Sequence, residues 1–271
     1  MTRNRLKVFK HFFAKSNGVT LLELIDYFFA PSYRKIANSY IKRIEYGKEF
    51  NKIYFKNITD AMYYPKDINL HSLHLVTVES FNSKNWHYYE IPETVVMADD
   101  VVVDCGSAEG LFALKICKRC KHIYIIEPLK KFVECLQKTF DKANNVEILP
   151  FAISDKEYYA RILNDDISSV LSTGEQGEEV KVTTLDNIFF ARDIAVSYLK
   201  MDLEGHDYKA LVGAENLIRK NKPKIAITTY HKKEDADKME LFLKSIVPQY
   251  NFRRKGIYQE TGSPVMLHAW I

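Results

Sequence analysis

The chain predicts an α/β fold: a doubly wound, mostly parallel seven-stranded sheet with an antiparallel member at one edge, preceded by a helical appendage. Three observations predict it. Val101 to Val103 and Ile123 to Ile126 are continuous apolar runs rich in β-branched residues, the pattern of strands buried on both faces of a parallel sheet. Gly106 and Gly110 bracket a tight turn from the first run into the apolar helical pattern LFALKIC. The chain ends in two strand-like segments separated by Thr-Gly-Ser-Pro, which read as a hairpin added to the parallel set.

In order, residues 1–60 read as a separate helical unit, because Leu6, Phe9, Phe13, Leu21, Leu22, Leu24, Ile25, Phe28 and Phe29 recur at helical spacing. The expected division is 1–60 and 61–271, although no Pro/Gly/Ser-rich linker marks it. An aromatic cluster, Trp86, His87, Tyr88 and Tyr89, then Glu90, precedes the first core strand at 101–104. A helix is expected over 109–120, a strand over 122–126, a helix over 129–141 with Pro128 suited to its first turn, and a strand over 146–151. Residues 155–179 read as irregular, with Gly174 and Gly177 marking a loop, and 181–185 as a short strand. Asp186 suits a helix cap better than a catalyst. Strands at 195–202 and 223–230 alternate with helices at 206–220 and 234–247, and the final strands span 251–259 and 265–271.

Composition sets the class. A chain of 271 residues with 46% apolar content can bury a full core. Cys105, Cys117, Cys120 and Cys135 fall in expected strand or helix, which is not a disulfide framework and points to a reducing, cytoplasmic setting. Cys117-x-x-Cys120 sits near a helix end without a second ligand pair, so no metal is assigned to it. The best membrane candidate, VTLLELIDYFFA, is short and carries Glu23 and Asp26. The basic start lacks the apolar stretch and cleavage site of a signal peptide. Residues 1–48 carry ten Lys/Arg against three Asp/Glu, while the whole chain is only +4, so the remainder is net negative. Such an arm either rests on an anionic membrane or glycolipid, or packs with a solvated basic face. No recognised motif supports nucleic-acid binding.

The segments VVVDCGSAEG and HIYIIEP together describe a nucleoside-cofactor site. Glu127, at the tip of the second strand, is placed to accept both hydroxyls of a ribose. Dinucleotide folds carry G-x-G-x-x-G to seat a pyrophosphate, whereas here the spacing is Gly106-x-x-x-Gly110 after Asp104. A carboxylate repels a pyrophosphate but tolerates an ammonium or a sulfonium. The reading favours S-adenosylmethionine over NAD.

From Trp86 to Ile271 the chain resembles the FkbM family of S-adenosylmethionine-dependent methyltransferases. The resemblance rests on VVVDCGSAEG, IIEP, FAISD, VTTLD, LKMDLEGHDYKAL followed by VGA, and PKIAITTYH, in that order and spacing. The first 60 or so residues fall outside it. At Cys105-Gly106-Ser107-Ala108-Glu109 the family more often shows Gly-Ala-Asn, so the contacts of Ser107 and Glu109 depart from its pattern. The resemblance implies the class I, Rossmann-like methyltransferase fold. It implies that Asp104 and Gly106 border the methionine end, with Ser107 and Gly110 in the same turn, and that Glu127 and Pro128 meet the ribose. Ala152, Ile153 and Ser154 would flank adenine, and Asp155 would either reach the exocyclic amine or cap a turn.

MDLEG at 201–205 falls where ligands of open α/β sheets bind. Methyl transfer to an alcohol needs an in-line approach and a base, and Asp202, Glu204 and His231 are the candidates, with His206 behind them. Asp202, Glu204 and His231 could also hold a divalent cation, but the site is read without one. The aromatic cluster would close over a sulfonium or pack on the sheet, and Ser168 and Ser169 mark where an acceptor would enter. The expected activity is O-methylation of a sugar, glycan or small natural product. The rival classes are an NAD-linked sugar oxidoreductase and a non-catalytic nucleoside-binding module.

Overall fold

The computed structural model describes residues 2–14, 18–67, 69–163, 170–172 and 177–271. Ser168, Ser169 and Gly174 lie outside the described residues.

The chain begins with α1 (Thr2–Ala14), α2 (Leu21–Phe29) and α3 (Tyr33–Tyr40). Thr20 starts α2 with a reciprocal cap: its Oγ1 accepts from Glu23 N, and its own N–H donates to the Glu23 carboxylate. The helical reading fails beyond Tyr40. Residues 41–65 form an antiparallel sheet of β1 (Ile41–Glu45), β2 (Phe50–Phe55) and β3 (Met62–Pro65). Along β2 burial alternates residue by residue, with Ile53 and Phe55 closed to solvent; this period of two is what the helical reading overlooked. Nor is the unit separate: Val8, Leu24, Ile53 and Phe55 share one continuous core with Val102, Leu111 and Ile123 of the main sheet. At Gly262 a Cβ would stand 2.6 Å from the His11 ring, so the C-terminal hairpin closes directly onto α1.

After α4 (Leu70–Phe81) the large sheet forms from β4 (Val101–Cys105), β5 (His122–Ile126), β6 (Val146–Leu149), β11 (Tyr198–Met201), β12 (Lys224–Thr228), β13 (Asn251–Lys255) and β14 (Met266–Trp270). Its order is β13-β14-β12-β11-β4-β5-β6. The pairs among β4, β5, β6, β11 and β12 are parallel, and β14 runs antiparallel between β12 and β13. The antiparallel member is therefore one strand in from the edge, which β13 forms. Helices α5 (Leu111–Ile116), α6 (Lys130–Thr139), α7 (Asp207–Val212), α8 (Glu215–Asn221) and α9 (Asp235–Ile246) make the crossovers. This is the Rossmann-like arrangement of class I methyltransferases.

Two local expectations change. Within the stretch expected to be irregular, 155–179, the described residues include β8 (Tyr158–Leu163) and β9 (Val170–Ser172); with β7 (Ala152–Ile153) and β10 (Glu178–Thr183), which overlaps the short strand expected at 181–185, they form a second sheet in the order β7-β10-β8-β9. The helix expected over 206–220 breaks at Gly213, where a Cβ would meet Ser154 O at 2.2 Å. Asp186 is indeed a cap, but of α8: its carboxylate accepts from Asn216 N and Leu217 N. Among the described residues no helix is long and apolar enough to cross a membrane.

Candidate active site

A cleft of about 240 Å³ opens beyond the carboxyl ends of β4, β5 and β11, walled by α4, the aromatic segment and the start of the second sheet. Its floor is the turn after β4. Gly106 has φ of +69°, and a Cβ there would meet Asp202 O at 1.9 Å, so only glycine lets the two strand ends approach. Gly106 N and Ser107 N both donate to Ile126 O, tying the turn to β5.

Beneath the turn, Asp104 is closed to solvent and pairs with Lys200 at 2.9 Å, while Ser107 Oγ donates to its other oxygen at 2.8 Å. Lys200 Nζ also donates to Gly106 O at 2.7 Å. Burial alone would lower the Lys200 pKa, but Asp104 and Asp202 raise it, so the lysine stays charged. Lys200 was missed by sequence reasoning, which used LKMD only as a motif. Its own signal was a charge inside a buried strand, which requires a partner. Asp104 thus supports the turn and does not line the cleft.

Glu127, 5% exposed, has both carboxylate oxygens engaged: Oε2 accepts from Ala108 N and Oε1 from Leu129 N, each at 2.9 Å. Burial pushes its pKa up to about 7, against the lowering effect of those two donors. Each oxygen keeps a lone pair for a further donor. Ser107, Pro128, Ala152 and Ile153 line the cleft beside it. Gly110 does not: a Cβ there would strike Leu136 at 2.4 Å, so its role is to seat α6. Ser154 N donates to Thr183 O and its hydroxyl to exposed Asp155, and neither residue reaches the wall.

The opposite wall is the loop after β11. Asp202 accepts from Tyr89 Oη at 2.7 Å and Thr228 Oγ1 at 3.2 Å, with His87 Nε2 at 3.7 Å. Burial would raise its pKa, but His87, Lys200 and His231 outweigh burial and keep it ionised. Glu204 lines the cleft from left-handed backbone, φ +50°, a conformation costing a non-glycine residue of order 1–3 kcal/mol. Buried Asp207 holds that loop by accepting from Leu203 N and Gly205 N. His231 Nε2 lies 3.1 Å from Glu204 Oε2 and Nδ1 lies 3.5 Å from Asp207 Oδ2, at angles of an ion pair and not of hydrogen bonds. Burial lowers its pKa, but the two carboxylates raise it to about 10. A protonated imidazole has no lone pair to take a proton, so His231 is a poor base; it sits behind Glu204, outside the wall. Asp202, Glu204 and His231 can each bring one donor atom within 4.8 Å of the others, a spacing that admits a cation if His231 loses its proton.

The aromatic segment both packs and lines the site. Trp86 stacks on Tyr27 at 4.3 Å, and Lys255 and Tyr198 donate to the carbonyls of Tyr88 and Tyr89. His87 and Tyr89 face the cleft. Glu79, on α4, and Glu109 were not assigned a role from sequence. The Glu109 Oε2 atom is buried without a hydrogen-bond partner among the described residues, and burial pushes its carboxyl to about 8. His206 also lines the cleft.

Carboxyl groups from Glu79, Glu109, Glu127, Asp202 and Glu204 therefore line the cleft, and the one lysine in its wall is occupied by Asp104. A pyrophosphate would meet repulsion here, while a cationic ligand would find partners. The fold is that of class I methyltransferases, and its strand ends open on a cleft suited to a cationic ligand.

Residues 104–254 match the model of the methyltransferase FkbM domain, and the chain belongs to that family. A solved FkbM methyltransferase from Methylobacillus flagellatus is 21% identical, with a TM-score of 0.52, over 75% of this chain and 56% of the other. The chain thus spans little more than half of that protein's length. An rRNA methylase from Streptococcus thermophilus is 12% identical over 65% of this chain and 87% of that one, TM-score 0.41. A putative methyltransferase from Streptococcus mutans, solved with S-adenosylhomocysteine, is 9% identical over 65% and 90%, TM-score 0.40. No curated protein matches the chain.

Proposed function

We propose that the protein transfers a methyl group from S-adenosylmethionine to a hydroxyl of a sugar, glycan or small natural product. The observation that carries this reading is the carboxylate lining of the cleft, which suits a sulfonium cofactor and a proton-losing acceptor. The residues fit the cofactor: Glu127 has lone pairs for the ribose hydroxyls, Ala152 and Ile153 offer apolar contact for the base, and the unpartnered Glu109 oxygen answers an ammonium. When bound, the cofactor supplies an electrophilic methyl on a sulfonium that becomes a neutral thioether.

The chain's own groups orient the acceptor and remove its proton. Asp202, fixed by Tyr89 and Thr228, accepts a hydrogen bond from the acceptor and aligns it. Glu204, partly open to the cleft, takes the hydroxyl proton as the oxygen forms its bond to the methyl carbon. His231, held as a cation by Glu204 and Asp207, positions the base. A cytoplasmic setting accords with four cysteines that stay as free thiols.

The test is transfer of radiolabelled methyl from S-adenosylmethionine into fractionated host extract, with Glu204→Gln as control. Label is expected in the glycan or glycolipid fraction and should fall at least about 100-fold in the control, with cofactor affinity retained. Label confined to protein would replace the acceptor class. Cofactor binding without any transfer would favour a non-catalytic module.

A further inference from the structure

The N-terminal helices expose apolar residues. In α1, Val8 is closed to solvent while Leu6, Phe9 and Phe13 face outward, Phe13 at 68% exposure. In α2, Leu24 points inward while Leu21, Leu22, Ile25 and Phe29 stand outside, Leu22 and Phe29 at 76% and 78%. Arg5 joins the two helices by donating to Phe28 O and Ala30 O. A cluster of this kind on a folded chain marks a surface that another body covers.

Charge identifies the body. Both acids of α2 are already paired, Glu23 with Arg253 and Asp26 with Lys84. Lys10, between Phe9 and Phe13, and Arg34 and Lys35, just past Phe29, are exposed and make no ion pair among the described residues. The first 48 residues carry seven more cations than anions. A second copy would set like charge against like; an anionic headgroup layer complements the cations and accepts the Phe and Leu side chains below them. We propose that the outer faces of α1 and α2 dock on an anionic lipid bilayer. The inner side of α2 carries Tyr27, which stacks on Trp86, and the next residue, His87, lines the cleft. The docked helices and the cleft wall are thus joined through the Tyr27–Trp86 stack, an arrangement that suits an acceptor carried on a lipid. This last step rests on the methyltransferase reading; the docking itself does not.

The test is co-sedimentation of the full chain with vesicles of phosphatidylcholine containing roughly one-quarter phosphatidylserine, beside vesicles of phosphatidylcholine alone. Binding to the anionic vesicles should be at least about tenfold tighter and should weaken several-fold as salt rises from about 0.1 to 0.5 M. The triple variant Phe13→Ser, Leu22→Ser, Phe29→Ser should lose that binding while keeping wild-type affinity for S-adenosylmethionine, which reports an intact fold. Equal binding by wild type and variant would overturn the proposal. So would a wild-type dimer that the variant dissolves, without vesicle binding, since a second copy would then cover the face. Loss of vesicle binding with cofactor affinity intact separates failure of this surface from failure of the methyltransferase reading.

Discussion

In the cleft and beneath its floor, Asp104, Glu109, Glu127 and Lys200 are charged or ionisable side chains almost closed to solvent; in α1 and α2, Phe13, Leu22 and Phe29 are apolar side chains mostly open to it. The ordinary sorting is reversed in both places, in opposite senses. The buried polar groups, Glu109 apart, are fixed by named partners, whereas Phe13 and Phe29 meet rings of their own helices, Phe9 and Phe12 in one case and Phe28 in the other, and still stand mostly in solvent. The difference distinguishes a site that is preorganised by its own fold from a surface that waits for its complement.

The largest expected effect tests preorganisation. Lys200→Met leaves Asp104 buried and unpaired beneath the glycine turn, which should cost about 3–5 kcal/mol. Thermal melting should fall by roughly 10 °C; an unchanged melt would mean the pair holds nothing. Next, Glu127→Ala should weaken S-adenosylmethionine by about 10- to 100-fold in calorimetric titration, the worth of charge-assisted bonds to a ribose. Undiminished affinity would remove the ribose assignment.

A smaller effect follows from burial of the same carboxyl. Glu127 in the empty cleft binds its proton up to about pH 7, well above an ordinary glutamate. A raised acid pKa in the folded state favours that state at low pH and loses this advantage as pH rises through 7. Ligand hydroxyls prefer the ionised form, so cofactor affinity should rise by up to about tenfold between pH 6 and 8. The gain should vanish in Glu127→Gln. The smallest effect concerns His231. With a pKa of about 10 in the metal-free site it carries a proton at neutral pH, which a cation would have to displace. A chelator should therefore change turnover by less than about twofold; strong inhibition reversed by a divalent cation would assign Asp202, Glu204 and His231 as ligands.

The parallel strands were legible because each is a local apolar run ended by a turn: β5 and β12 fall where Ile123–Ile126 and PKIAITTY place them. That Glu127, Asp202 and Glu204 line the cleft was legible for the same reason, since a strand tip predicts its own exit. Of the second sheet only part of β10 was, as the short strand expected at 181–185. Its strands carry charges such as Lys156, Glu157, Glu178 and Lys181 in or beside them, and β10 joins β7 and β8 by pairings remote along the chain. Lys200 and Asp104 lie on different strands far apart in sequence, so only the sheet order reveals that they meet. The roles of His231 and Gly110 depended on neighbours, two carboxylates in one case and Leu136 in the other, that spacing does not disclose.

The contact of Gly262 with His11, and of Trp86 with Tyr27, bears on how this chain can change over time. A fragment starting at residue 61 would leave a notch with no ring to fill it and an indole with no face to cover it. The N-terminal helices read as a separate appendage when taken alone, yet they form part of the wall that the hairpin and the aromatic segment lean on. Insertions are therefore expected to be tolerated in the turns of this arm, while its deletion is expected to yield an aggregating remnant and not a smaller enzyme.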